Sequence, residues 1–250
     1  MNQDDTGILY VVATPIGNRG DLSPRAAQVL AGADLIAAED TRHIQRLAET
    51  VGGMPGERLA LYSAKEAERI PQVLERLRGG ASVALVSDAG TPAVSDPGGR
   101  LVAAAHEAGI AVRAGPGPSA VTALLSAAGL PADRFCFRGF LPTQAKARTA
   151  ALRELARRVE TTVLFESPRR VADLLAALAD HCGGGREAAV GRELTKRFET
   201  VHRGPLAELA GHFAEHPEEH RGELVLAVAG RPEGEDDPEA AALDTDRLLE

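Results

Sequence analysis

Short apolar runs alternate with helical patterns from residue 8 onward, and this alternation restricts the possible fold more than any other feature. Strands that alternate with helices along a chain form mostly parallel sheets. Ser23 and Pro24 give the cap and the first-turn proline of one intervening helix. The runs with the composition of buried strands are residues 8–13, 34–38, 82–86 and 110–114. The sequence therefore predicts an α/β fold.

Three further helices are predicted in this half of the chain, and one of them spans residues 101–107. Residues 41–49 have a helical pattern, and Ser63 and Glu66 have the spacing of a capping box. In such a box the serine hydroxyl accepts the backbone amide of the glutamate, and the glutamate carboxylate accepts the backbone amide of the serine. We therefore expect a helix to begin at this box and to run to about Leu77.

A turn-rich segment, Gly115-Pro-Gly-Pro118, predicts a domain boundary. Beyond it, helices are expected over 120–128, 145–159 and 168–179, and strands over 135–137, 161–165 and 223–229. The expected organisation is a flexible N-terminus (1–7), an N-terminal α/β domain (8–116), a C-terminal α/β domain (117–230) and an acidic, disordered tail (231–250).

The charge of the chain is unevenly distributed. The formal net charge is −8, but residues 231–250 hold eight acids against two bases. Residues 131–210 hold fourteen Lys or Arg against ten Asp or Glu. The second half is therefore the basic half, which permits contact with RNA although it does not by itself indicate it.

Several classes of protein are disfavoured by composition. There is no apolar run of the roughly 18 residues that a membrane span needs, and the first residues, MNQDDTG, do not resemble a secretory or transit signal. Cys136 and Cys182 stand far apart without the further ligands of a zinc site. We expect a cytoplasmic protein with reduced thiols, no metal and no membrane partner.

Four loops rich in glycine and proline each follow a predicted strand, where open α/β sheets bind ligands. They span residues 14–18, 39–42, 87–98 and 114–120. Their backbone amides and carboxylates suit a positively charged nucleoside better than a polyphosphate, which favours Lys or Arg. The alternative is that they are ordinary tight turns, with Asp88 and Asp96 as turn or cap residues. A G-x-G-x-x-G fingerprint after the first strand and a P-loop are both missing.

These loops, in this order, resemble the tetrapyrrole (corrin/porphyrin) methylase superfamily and, within it, the ribosomal RNA small subunit methyltransferase I family. The resemblance covers residues 8–230. Its segments include Leu9-Tyr-Val-Val-Ala-Thr-Pro-Ile-Gly-Asn18, Asp34-Leu-Ile-Ala-Ala-Glu-Asp-Thr-Arg42, Ala84-Leu-Val-Ser-Asp-Ala-Gly-Thr-Pro92, Ser95-Asp-Pro-Gly98, Gly115-Pro-Gly-Pro-Ser-Ala120, Ser126-Ala-Ala-Gly-Leu-Pro131, Gly139-Phe-Leu-Pro142, Phe165-Glu-Ser-Pro168, Arg192-Glu-Leu-Thr-Lys196 and Gly222-Glu223.

The resemblance implies two α/β domains with S-adenosyl-L-methionine in the cleft between them, in a homodimer. It also implies methylation of the ribose 2′-oxygen of a cytidine in the decoding region of 16S rRNA, position 1402 in standard rRNA numbering. Asp88 is expected to pair with the cationic amino acid end of the cofactor. The expected cofactor-binding residues are Pro15, Gly17, Asp88, Ala89, Gly90, Thr91, Asp96, Pro97, Gly98, Pro116, Gly117, Ser119 and Ala120.

Two residues are candidates for the catalytic step, because a ribose hydroxyl must lose or share its proton to attack. Lys196 is expected to act as a neutral base or as a cation that stabilises the alkoxide, and Glu166 to accept the proton. Each has a structural alternative. Lys196 is also expected as a salt-bridged or phosphate-contacting lysine, with Glu193 as its partner. Glu166 is also expected as an acid at a helix N-terminus.

Basic residues of the second half are candidates for contact with the RNA backbone. The alternative for each is a solvated helix face. The predicted set is Lys146, Arg148, Arg153, Arg157, Arg169, Arg170 and Arg197.

The chain departs from the family pattern at four positions. Ala64 and Lys65 stand where His-Asn is usual, Arg138 where Glu is common, and Arg169 where His is common. We therefore do not expect catalysis to depend on those histidines.

Two rival functions remain open at this point. One is a tetrapyrrole methyltransferase of the same fold, which would need a wide apolar cleft. The other is a non-catalytic ribosome-assembly factor, in which the cofactor loops would have degenerated.

Overall fold

The computed structural model describes residues 7–232 and divides into two compact units between Ser119 and Ala120. The sequence predicts the boundary three residues earlier, between Pro116 and Gly117. The predicted flexible N-terminus and acidic tail lie outside the described residues, apart from Gly7, Arg231 and Pro232. The amide of Gly7 donates to the Leu77 carbonyl over 2.7 Å.

The first unit is built around a five-stranded sheet in which every neighbouring pair of strands is parallel. The strand order is β3-β2-β4-β1-β5. The strands are β1 (Ile8–Val12), β2 (Leu35–Ala38), β3 (Glu57–Ala60), β4 (Val83–Val86) and β5 (Ala111–Gly115), and the helices are α1 (Pro24–Gly32), α2 (Thr41–Ala48), α3 (Glu66–Arg78) and α4 (Gly99–Glu107). The predicted parallel α/β architecture is confirmed for this unit.

Both faces of this sheet are covered, which explains why β2 and β4 are apolar at every position. Leu35 packs with α3 and α4 on one face, and its neighbour Ile36 packs with α1 and α2 on the other. All residues of β2 and β4 are buried. The alternation of side chains along a strand therefore divides the core into two layers.

The predicted capping box is wrong, although the neighbouring prediction at Ser23 is confirmed. The Ser23 hydroxyl accepts the Ala26 amide at the start of α1. In contrast, α3 begins at Glu66 itself, and its N-cap residue, Lys65, makes no capping hydrogen bond through its side chain. The Glu66 carboxylate instead contacts the start of α4, which sequence spacing alone does not reveal.

The second unit holds a mixed five-stranded sheet with strand order β6-β7-β10-β8-β9. Strands β6 and β7 are parallel, whereas the other neighbours are antiparallel. The strands are β6 (Phe135–Phe140), β7 (Thr161–Glu166), β8 (Glu187–Arg192), β9 (Thr200–Pro205) and β10 (Leu224–Val228), and the helices are α5 (Ala120–Ala128), α6 (Ala145–Arg157), α7 (Val171–Cys182) and α8 (Leu206–Glu215). The second α/β domain is confirmed, with a sheet that is not mostly parallel.

Four elements are absent from the sequence prediction: β3, β8, β9 and α8. Strand β3 lies at a sheet edge and begins with two charged residues, Glu57 and Arg58, so it has no apolar run. Strand β8 includes the small residues Ala188, Ala189 and Gly191, which carry little strand preference. Its burial comes from its position inside the sheet.

Among the described residues, no helix is long and apolar enough to cross a lipid bilayer.

Candidate functional site

The loops that follow β1, β4 and β5 are joined by hydrogen bonds at the carboxyl edge of the first sheet. Thr14 and Gly90 exchange backbone hydrogen bonds of 2.9 and 3.0 Å. The Ala13 amide donates to Gly115, and the Thr91 hydroxyl donates to the Pro118 carbonyl over 3.2 Å. Three of the four predicted loops therefore form one connected structure.

Asp88 connects the fourth loop to this structure. One of its carboxylate oxygens accepts the Asp40 amide over 3.0 Å, and the other lies 3.0 Å from Nδ1 of His43. Asp40 is the N-cap of α2 and its carboxylate accepts the amide of Arg42. The side chain of Arg42 also donates to Asp40 and lowers the pKa of that carboxyl to about 2.

Three carboxyl groups gather at this edge: Glu39, Asp88 and Asp96. Burial raises the pKa of Glu39, and the charges of Asp88 and Asp96 raise it further. Burial likewise raises the pKa of Asp96, with a further contribution from the charge of Asp88. The edge is therefore an anionic site whose charges repel one another, and a bound cation would relieve that repulsion.

The thirteen predicted cofactor-binding residues differ in exposure. Ala120 is the first residue of α5, in the second unit, whereas the others belong to the first. Gly17, Asp88, Pro116 and Gly117 are exposed; Pro15, Ala89, Thr91, Asp96, Ser119 and Ala120 are half-buried; Gly90, Pro97 and Gly98 are buried.

Two of these glycines lie where a side chain would be crowded. A Cβ at Gly117 would lie 3.0 Å from Cβ of Ala13, so a larger residue there would push the β5 and β1 loops slightly apart. Gly98 has a φ of 116°, and a Cβ there would lie 2.7 Å from the Leu85 side chain. Glycine at both positions holds the loops in place.

Left-handed backbone at residues other than glycine is confined, among the described residues, to two segments. Ala93 and Ser95 lie in the 87–98 loop with φ of 66° and 63°, and Glu193 and Thr195 lie after β8 with φ of 52° and 66°. Such residues cost about 1–3 kcal/mol each and cluster at functional sites. Ser95, Glu193 and Thr195 lie in segments that carry the family resemblance, and Ala93 lies directly after another of them.

Glu166 is buried at the end of β7 and is held by arginines. Its Oε1 accepts the Ser167 amide over 2.7 Å and Nε of Arg170 over 2.8 Å. Its Oε2 lies 3.8 Å from Arg148 and has no hydrogen-bond partner among the described residues, although it is buried. The carboxylate is thus fixed through one oxygen and keeps an open acceptor at the other.

Lys196 lies in the turn after β8 between two carboxylates. Its Nζ is 2.8 Å from Glu193 and 3.0 Å from Glu223. Burial acts to lower the pKa of Lys196, but the hydrogen bonds and charges of the two glutamates outweigh it and raise that pKa above its ordinary value. Lys196 is therefore a cation at neutral pH, a state that the alkoxide-stabilising role and the salt-bridged alternative share.

The register of the second sheet places the two catalytic candidates at the same end of its strands. Leu224, which begins β10, pairs with Glu166 on one side and with Arg192 on the other. Since neighbouring strands are about 4.8 Å apart, the ends of β7 and β8 are roughly 10 Å apart. The Glu193–Lys196 turn begins directly after Arg192, so both candidates lie at this end of the sheet.

The predicted RNA-contacting residues separate into two groups. Lys146, Arg153 and Arg157 share one face of α6, since they are seven and four residues apart, and all three are exposed. Arg169 and Arg197 are also exposed, with Arg197 5.5 Å from the centre of the Phe198 ring. Arg148 and Arg170 face the buried Glu166 instead.

The positions that depart from the family pattern are mostly exposed. Arg138 donates to both carboxylate oxygens of Glu154 over 2.9 and 2.8 Å. Lys65 stands 5.8 Å from the centre of the Tyr62 ring. Ala64 and Arg169 are exposed.

Sequence reasoning missed His43 as a partner of Asp88 and Arg148 as a neighbour of Glu166. It also missed Glu66, which anchors the end of the 87–98 loop. No local signal marks these contacts, because each joins residues that are distant in the sequence.

Comparison with known proteins gives consistent matches. The family model for Tetrapyrrole (Corrin/Porphyrin) Methylases matches residues 8–210. A ribosomal RNA small subunit methyltransferase I from Vibrio cholerae is 46% identical over 97% of this chain and 84% of its own length. The protein of the same name from Pseudomonas aeruginosa is 48% identical over 95% and 84%.

Solved structures show the same fold at low sequence identity. Diphthine synthase matches with a TM-score of 0.65 and 19% identity, covering 89% of this chain and 90% of its own. Uroporphyrin-III C-methyl transferase from Thermus thermophilus, complexed with S-adenyl homocysteine, matches with a TM-score of 0.60 and 22% identity over 89% and 97%. The two α/β units and the anionic loop edge agree with these matches. The family model and the relatives show that the chain belongs to the ribosomal RNA small subunit methyltransferase I family of the tetrapyrrole methylases.

Proposed function

We propose that this protein methylates the ribose 2′-oxygen of a cytidine in the decoding region of 16S rRNA. It is an S-adenosylmethionine-dependent methyltransferase by family, and the relatives' names point to the RNA of the small ribosomal subunit as the substrate. The observation that carries the proposal is the anionic edge of the first sheet, where Glu39, Asp88 and Asp96 crowd together.

The chemistry of this edge fits the cofactor. S-adenosylmethionine supplies a methyl group on a positively charged sulfonium and also carries an ammonium group. Asp88, which is partly exposed, would hold a positive charge. Burial and then mutual repulsion raise the pKa values of Glu39 and Asp96, and bound positive charge would offset the repulsion. Backbone groups of the joined 14–18, 87–98 and 114–120 loops would contact the rest of the nucleoside.

Methyl transfer is an in-line displacement in which the ribose oxygen attacks the methyl carbon, the carbon–sulfur bond breaks and the hydroxyl proton leaves. Much of the acceleration comes from alignment of the two reacting atoms. Lys196, as a cation, would stabilise the developing alkoxide. The open Oε2 of Glu166 would accept the proton, because it is buried and lacks a donor.

Exposed cations would position the RNA. The α6 face of Lys146, Arg153 and Arg157, together with Arg169 and Arg197, supplies charge that can follow a phosphate backbone. Arg148 and Arg170 would contribute indirectly, since they orient Glu166.

We also propose a homodimer in the cytoplasm. Strand β6 lies at the edge of the second sheet and exposes two aromatic side chains, Phe135 at 44% and Phe140 at 56%. Exposed apolar edge strands favour association with another chain. Sedimentation of the wild type and of Phe140→Lys tests this: we expect a dimer that the substitution weakens, and a wild-type monomer would contradict it.

The test of the function is methyl transfer from radiolabelled S-adenosylmethionine to small ribosomal subunits that lack the modification. Naked 16S rRNA and uroporphyrinogen III serve as competing acceptors. We expect label on the RNA and none on the tetrapyrrole. Label on the tetrapyrrole alone would support the rival methyltransferase, and tight rRNA binding without any transfer would support the assembly factor.

A further inference from the structure

Three titratable side chains converge in the second unit: His202, His212 and Glu219. Nε2 of His202 lies 2.9 Å from Oε2 of Glu219, and Nε2 of His212 lies 3.4 Å from the same oxygen. One candidate ligand atom from each of the three groups lies within 4.8 Å of the other two.

The three converging atoms are buried and are not engaged in ordinary hydrogen bonds. Each of them is shielded from solvent, and apart from these two ion-pair contacts none has a hydrogen-bond partner among the described residues. Buried polar atoms that lack well-formed hydrogen bonds are costly and rare. Their convergence on one point is the arrangement that a shared ligand would satisfy.

The chemistry of the donors selects a transition metal. Two imidazoles and one carboxylate are ligands of Zn²⁺ and of related divalent metals. Zinc–ligand distances of about 2.0–2.2 Å place the donors of a tetrahedral site roughly 3.3 Å apart. The observed separations of 2.9 and 3.4 Å are close to that value.

Ring contacts hold one of the proposed ligands in place. The rings of His212 and His216 stack with centres 4.3 Å apart, and His212 also contacts the buried Phe213 ring edge-on at 5.4 Å. These contacts restrict the orientation of His212.

We propose that His202, His212 and Glu219 bind one divalent transition metal ion, Zn²⁺ by preference, which joins three elements of the second unit. His202 lies on the edge strand β9, His212 on α8, and Glu219 in the helical turn at residues 217–219 that follows. The ion would fasten the edge strand to the helix that covers it, and one enclosed water would complete its four ligands. The sequence prediction of no metal considered only the cysteines, and the three ligands do not form a recognised zinc motif.

The experiment uses the full-length, untagged protein, stripped with a chelator and then titrated with Zn²⁺ alone by calorimetry. We expect one bound ion per chain and a higher melting temperature with Zn²⁺ present. His202→Gln and His212→Gln are expected to weaken binding by at least about tenfold. His106→Gln, at an exposed histidine of α4, is the matched control and should bind as the wild type does.

A second measurement on the wild type alone keeps the proposal testable if the variants fold poorly. Co²⁺ in a site of nitrogen and oxygen ligands should give visible bands without a thiolate charge-transfer band. A thiolate band would assign the metal to Cys136 or Cys182 and overturn the proposal. Failure to bind, or equal binding by wild type and both histidine variants, would also overturn it.

Discussion

Oε1 of Glu66 accepts the backbone amide of Arg100 over 2.9 Å, thirty-four residues further along the chain. The same oxygen accepts the amides of Gly98 and Leu101 over 3.1 and 3.2 Å. A buried carboxylate on α3 therefore supplies the N-terminal cap of α4, where amides and helix dipole favour negative charge. Because α4 begins where the 87–98 loop ends, Glu66 anchors the loop that carries Asp88 and Asp96.

Glu66→Ala should lower the free energy of unfolding by about 1–3 kcal/mol, because three amides lose their acceptor. Denaturant unfolding followed by circular dichroism measures this. Glu68→Ala is the control, since Glu68 is an exposed acid in the same first turn of α3 and should change stability little. Equal effects of the two substitutions would contradict the capping role.

Asp88→Asn should weaken S-adenosylhomocysteine binding about tenfold or more, the magnitude of one lost charge-assisted contact. Calorimetric titration measures the dissociation constant. Asp21→Asn, at an exposed aspartate of the same unit, should leave it unchanged. Unaltered binding by Asp88→Asn would mean that Asp88 does not hold the cofactor and serves only in its contacts with Asp40 and His43.

Glu39→Gln should stabilise the ligand-free protein at neutral pH while it weakens cofactor binding. The pKa of Glu39 is raised in the folded state, so folded protein binds that proton more tightly than unfolded protein, and stability falls as pH rises past the ordinary carboxyl value of about 4.3. The gain from Glu39→Gln should therefore disappear in acid. A loss of stability at neutral pH would show that the Glu39 charge is favourable.

Lys196→Arg should retain part of the methyl-transfer activity, whereas Lys196→Met should lose most of it, because a cation is needed rather than a neutral amine. The pH–rate profile distinguishes the roles, since a neutral base would make activity rise as the lysine deprotonates. The raised pKa of Lys196 also means that its ion pairs stabilise the fold below about pH 10.4 and that this contribution is lost as pH rises past the raised value. Lys65→Met is the control.

Gly222→Ala should disturb the Glu193–Lys196 turn. Gly222 has a φ of 81°, and a Cβ there would collide with the Glu193 carboxylate. Since Glu193 holds Lys196, we expect the substitution to reduce methyl transfer more than cofactor binding. Equal losses in both would indicate general unfolding, which circular dichroism would detect.

Local patterns predicted the elements whose partners lie nearby. The Ser23–Pro24 start of α1 and the span of α5 at residues 120–128 agree with the structure. The predicted capping box of Ser63 and Glu66 does not form, because the Glu66 carboxylate accepts the amides at the start of α4 instead. Strand β8 was missed because its burial depends on neighbours in the sheet and not on an apolar run, and β9 because it is a half-buried edge strand with polar residues.

The candidate site was predictable in its loops but not in its contacts. Glycine, proline and acid content marked the 87–98 loop, and the structure joins it to the loops after β1 and β5. The pairing of Glu166 with Arg170 and Arg148, and the convergence of His202 with Glu219, arise from the tertiary fold. These contacts determine which charged groups are already paired within the fold. The sequence does not show them, so it left two roles open for Lys196 and Glu166.

The central claim is the position and the atom that receive the methyl group. The most direct measurement is mass spectrometry of nuclease-digested 16S rRNA, from small subunits that lacked the modification and were then treated with this protein and S-adenosylmethionine. We predict one added methyl group on the ribose of the decoding-region cytidine, absent with Asp88→Asn under limiting cofactor. A methyl group on the base, on another nucleotide, or on no RNA at all would contradict the account.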